Sequence, residues 1–95
     1  DVFIYIGSLE ELFVNIYKIS SKDTVFVFST EDLVKGEFKL NASGRYSHSL
    51  NYIKGLLEKN NFELLSYKKD NLRKEKNKYL KGCFYIAIKK DILDN

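Results

Sequence analysis

The stretch that most limits what this chain can fold into is Thr24-Val25-Phe26-Val27-Phe28. From Val25 onward it is apolar at every position, with no polar face to turn toward water. Such a run suits a strand covered on both sides, as in a parallel sheet, and a sheet of that kind needs helices. The sequence before it supplies one. Ser8 with Glu11 three residues later reads as a capping box, in which each side chain reaches a free backbone N–H of the first turn. Leu9, Leu12, Phe13, Ile16 and Ile19 follow at three-and-four spacing, which makes one apolar stripe, and Ser20-Ser21-Lys22-Asp23 ends the helix.

From Ser29 to Ser47 no helical period exists, and Phe38-Lys39-Leu40 has the alternation of at most a short strand. This stretch reads as an excursion over the carboxyl end of the preceding strand. Ser49 then caps a second helix whose buried face is Leu50, Ile53, Leu56 and Leu57. Gly55 inside it costs about 1 kcal/mol relative to Ala, which points to a close backbone contact. Asn60-Asn61 supplies the left-handed residue that closes many helices. Phe62 to Tyr67 is a strand, Leu72 to Lys78 a charged turn, and Tyr79 to Lys89 the last and longest strand. Two strands joined by a tight turn are antiparallel neighbours. Val2 to Ile6 has strand propensity as well. The expected class is therefore α/β, with two helices, three to four strands and a terminal antiparallel hairpin.

Ninety-five residues, 44% of them apolar, make one domain with a modest core. The chain opens at Asp1 directly into apolar residues, as a piece of a longer protein would. A net charge of +3 with Lys interleaved among Asp and Glu favours solubility over any anionic partner. Cys83 lies in an apolar run, so it reads as a buried, inert thiol in a cytoplasmic protein. No apolar run is long enough for a membrane helix. One His and one Cys cannot close a metal site without several carboxylates. The basic run Arg73 to Lys78 contains an acid and sits on a hairpin tip, so a solvated turn is preferred to a nucleic-acid surface.

Candidate chemistry is concentrated in Gly44-Arg45-Tyr46-Ser47-His48-Ser49, followed by Tyr52-Ile53; this turn holds the only histidine and one of two arginines. Together with Asp1 to Glu10 and with Lys81-Gly82-Cys83-Phe84-Tyr85-Ile86-Ala87-Ile88, it resembles the carboxyl-terminal half of a class I S-adenosylmethionine-dependent methyltransferase. The subgroup it resembles most is the one attached to tetratricopeptide repeats. The first stretch is similar to the segment leaving the fourth strand, the six-residue turn to the subgroup's loop-to-helix turn, and the third to the final reversed strand. Two features depart from the family. Ser20-Ser21-Lys22-Asp23 stands where Pro-Gly-Gly is usual, and no Gly-x-Gly-x-x-Gly exists anywhere in the chain.

The resemblance implies a partial Rossmann-like sheet lacking its cofactor-cradling half. S-adenosylmethionine is then expected in the complete domain and not on this fragment alone. It implies Asp1 and Val2 beside the cofactor, Arg45, Tyr46 and Tyr5 around the methyl acceptor, and His48 as a base. It also makes Val2 to Ile6 a loop, against their propensity. From the residues alone, His48 equally suits a backbone bond at a helix start, and Arg45 suits an ion pair with Glu31, Asp32 or Glu37. The acceptor is a small molecule or a protein. The alternative is a non-catalytic interaction module that forms homo-oligomers through its amino-terminal edge.

Overall fold

The computed structural model describes residues 7–90. The elements are α1 (Glu10–Ile19), β1 (Val25–Asp32), β2 (Phe38–Leu40), β3 (Tyr46–His48), α2 (Leu50–Lys59), β4 (Phe62–Glu75) and β5 (Lys78–Lys89). They form one mixed sheet in the order β2-β3-β1-β5-β4. β1 is parallel to β3 and antiparallel to β5, and β5 is antiparallel to β4. The last strand therefore lies reversed between β1 and β4, which run in the same direction. The α/β class, both helices and the terminal antiparallel pair are as expected; the sheet has five strands where three to four were anticipated. Val2 to Ile6, whether strand or loop, lie outside the described residues.

Both helices pack on the same face of the sheet. Leu9 and Phe13 at α1, Ile53, Leu56 and Leu57 on α2, and Phe62, Cys83, Tyr85 and Ala87 on the sheet form one buried cluster. Phe26 and Phe28 pack against it from β1. The alternation of β1 sends Val25 and Val27 to the opposite face, where they are 54% and 75% exposed. Phe84 and Ile86 of β5 share that face at 36% and 39%. The run is thus covered on one side, not two, because the two helical stripes meet in a common core.

Local chemistry explains the ends of the elements. Ser49 Oγ accepts from Tyr52 N at 3.1 Å, the expected cap of α2, and Asn61 closes it at φ 63°. α1 departs from expectation: Leu9 occupies the cap position, no side chain caps it, and the Ser8–Glu11 box is not formed. The Leu9 N–H instead donates to Tyr52 Oη of α2 at 2.9 Å. At its other end, Ser20 Oγ donates to Ile16 O at 2.6 Å, and Lys89 Nζ from β5 donates to the carbonyls of Tyr17 and Ser20. A cation there complements the negative end of the helix dipole. Gly55 faces open space, so the expected close contact is absent.

The hairpin turn is tighter than the charge run suggests. Only Lys76 and Asn77 turn, both at positive φ (49° and 64°), as a two-residue loop that matches strand twist demands. Irregularities between Leu64 and Ser66 and between Asn71 and Arg73 break the pairing of β4. At the second, Leu72 lies over Gly82, where an added Cβ would come within 2.7 Å of Leu72 Cβ. The glycine before Cys83 is what lets the strands close there.

Candidate functional site

The turn from Gly44 to Ser49 does not fold as a loop running into a helix. Gly44, at φ 85°, closes a turn in which its N–H donates to Asn41 O at 2.9 Å, and Asn41 N donates to Arg45 O at 2.9 Å. The chain then runs straight into β3, which pairs with β2 on one side and in parallel with β1 on the other. Glu31 lies opposite Ser47, and Asp32 opposite His48. Phe38-Lys39-Leu40, expected as at most a short strand, is the outer partner of β3. The polar turn was thus legible as a feature, but its pairing depends on contacts across the chain that no local pattern encodes.

Strand alternation divides the turn. Tyr46 and His48 face one side, with Phe38 and Tyr52 around them. Phe38 and Tyr46 lie edge to face at 6.1 Å between ring centroids, and the His48 ring stacks on Tyr52 at 6.2 Å and 10°. His48 is fully buried, and its Nε2 lies 3.0 Å from Gly7 O. A carbonyl only accepts, so Nε2 carries the proton, and Nδ1 is the basic nitrogen of the neutral ring. Gly7 itself fits between rings: an added Cβ would approach Phe38 Cδ1, Phe38 Cε1 and Tyr46 Cε2 to 2.7 Å each. The segment entering α1 is therefore pinned to the turn at Gly7 and to α2 at Leu9.

Ser47 faces the other way. Its Oγ accepts from Asn41 Nδ2 at 2.7 Å. Beside it is a cleft of about 340 Å³ lined by Glu31, Asp32, Asn41, Ala42, Ser43, Ser47, Leu80 and Lys81. Glu31, although charged, is 5% exposed. The cleft lies at the carboxyl end of β1, the end at which open α/β sheets take ligands. Asp32 reaches Lys69 Nζ across the sheet at 3.3 Å through Oδ2. Sequence reasoning named Glu31 and Asp32 only as surface partners for Arg45. Their burial and the roles of Asn41 and Ser47 arise from the β1–β3 pairing, which it did not foresee.

A buried polar row runs beneath the helices at the same end. Thr30 Oγ1 and Tyr85 Oη share a hydrogen bond of 3.2 Å, with Cys83 adjacent. Burial pushes the thiol of Cys83 above its ordinary 9.0 and the phenol of Tyr85 far above its ordinary 10.0. Both groups resist ionisation in the native state, whereas the unfolded chain ionises at the ordinary values. Native stability contributed by these groups is complete below about pH 9 and falls as pH rises beyond it. Denaturant midpoints measured from pH 7 to 10.5 are expected to decline above pH 9. Cys83→Ser combined with Tyr85→Phe flattens that decline.

Of the residues singled out by the sequence, His48, Tyr46 and Arg45 lie on one short strand and its approach, with Arg45 and Tyr46 half-buried. Asp1, Val2 and Tyr5 lie outside the described residues. Among the described residues no group of His, Cys, Asp and Glu could hold a metal ion, and no helix is long and apolar enough to cross a membrane. Comparison with protein-family models, with curated proteins and with solved structures gave no match.

Proposed function

We propose that this chain is the acceptor side of an S-adenosylmethionine-dependent methyltransferase domain. The observation that carries the reading is the 3.0 Å approach of His48 Nε2 to Gly7 O, between residues 41 positions apart. It joins Gly7, in the stretch from Asp1 to Glu10, to the turn from Gly44 to Ser49, so described residues of two of the three stretches on which the resemblance rests are in contact. The third stretch is the reversed strand β5, lodged between β1 and β4. Its placement agrees with the same reading.

Within that reading Arg45 clamps an anionic group of the acceptor, since its planar guanidinium matches carboxylate and phosphate. Tyr46 and Tyr5 line the acceptor pocket, Asp1 and Val2 flank the sulfonium, and His48 is the base, a role that requires its buried ring to be uncovered when the acceptor binds. The cofactor itself does not fit the described residues as a whole. Among the described residues no Gly-rich turn could cradle a nucleotide, and the glycines that do meet close neighbours are Gly7, between rings, and Gly82, at the strand closure. The chain's share is to orient the acceptor. Cofactor binding tests this: a complete domain containing these residues takes up S-adenosylhomocysteine, and the 95-residue chain alone does not.

The bare sheet face at Val25, Val27, Phe84 and Ile86 favours a second reading, an interaction module without catalysis.

A further inference from the structure

We infer that the uncovered sheet face is a two-fold interface between copies of this chain. The argument does not depend on the methyltransferase reading. Val25, Val27, Phe84 and Ile86 are contiguous through the β1–β5 register, in which Val25 lies opposite Ile88 and Val27 opposite Ile86. Contiguous apolar patches of more than a few hundred Å² are rare on monomers and mark interaction sites. On β5 the patch lies between two partner strands, and on β1 Val25 and Val27 are paired with β5 alone. An apolar sheet face of this kind packs on a second sheet at the roughly 10 Å spacing of face-to-face packing.

Charge specifies the occupant. Directly opposed residues of an antiparallel pair share a face, so β4 contributes Glu63 beside Ile88, Ser66 beside Ile86 and Lys68 beside Phe84. Along β4 this face reads acid, neutral, base from Glu63 to Lys68, with Asp70 beyond, and Glu63 and Lys68 flank the level of Val27, Ile86 and Ser66 as opposite charges. A two-fold axis at that level, perpendicular to the strands, lays each sheet on its copy with strand directions reversed. Phe84 then meets Ile88 of the partner, and Lys68 meets Glu63 of the partner, twice per dimer. A two-fold axis along β5 does the opposite: it sets Glu31 over Asp70, like against like. The self-complementary arrangement is the first one. Lys68 already leans on Asp70 at 3.4 Å and is well exposed, so its ammonium reaches a second carboxylate without rearrangement of the fold.

The test is sedimentation equilibrium of the 95-residue chain from 5 to 200 µM, with circular dichroism as the check on folding. The expected result is a reversible dimer. Val27→Asp, at a site too exposed to unfold the chain, gives a monomer at every concentration. Glu63→Lys and Lys68→Glu each weaken association about tenfold, and the two together restore it, an outcome a merely structural role would not produce. A wild-type monomer at 200 µM overturns the inference. So does a dimer that survives Val27→Asp, or one in which the double charge reversal is weaker than either single change.

Discussion

Phe13→Ala is expected to lower stability by about 3–5 kcal/mol, the usual cost of removing a buried aromatic ring from a packed core. Phe13 has no exposed surface, and its ring meets Phe28 edge-on at 5.8 Å and Phe62 at 6.4 Å. It is the side chain through which α1 grips two strands that are not neighbours in the sheet. A single domain has about 5–15 kcal/mol in total, so the loss is a fifth or more of its margin. Urea unfolding reads the effect as a large drop in midpoint with an unchanged slope. A loss under 1 kcal/mol would mean that the core is not centred on this ring.

His48→Ala carries the second largest effect, about 2–3 kcal/mol. The change empties the space stacked on Tyr52 and removes the donor that satisfies the Gly7 carbonyl. Its signature is local as well as global. Amide exchange at Leu9 and through the first turn of α1 speeds up, because the entry to the helix loses one of its two anchors, and Ser49 to Tyr52 keep their protection through the serine cap. His48→Gln, which can donate from a side-chain amide, restores part of the stability. Equal loss from Ala and Gln would show that ring packing, not the hydrogen bond, holds the segment.

Much of this fold was legible because it is local. The three-and-four spacing of Leu9 to Ile16, the serine before Leu50 and the paired asparagines after Lys59 each specify one feature through chemistry within a few residues. The failures share a different cause. Ser8 and Glu11 satisfy a capping pattern, yet the helix starts one residue later at a Leu9 cap whose N–H is held by Tyr52 of α2, a partner that no local pattern shows. The continuous run at Val25 to Phe28 correctly marks a strand, but it is covered on one face where two were expected. Which of its faces is covered depends on where two helices land, and period alone does not say. At the site, His48, Tyr46 and Arg45 stood out by residue type. Glu31, Asp32, Asn41 and Ser47 did not, since only the parallel pairing of β3 with β1 brings them to one cleft.

The measurement that bears most directly on the proposed function is calorimetric titration of S-adenosylhomocysteine into two proteins in parallel. One is the 95-residue chain, and the other is a complete domain in which these residues follow a cofactor-binding half. The account predicts no heat from the first and one site of micromolar affinity in the second, with Arg45→Ala leaving that affinity unchanged because the proposed role of Arg45 is toward the acceptor and not the cofactor. Absence of binding in the complete domain would contradict the methyltransferase reading outright.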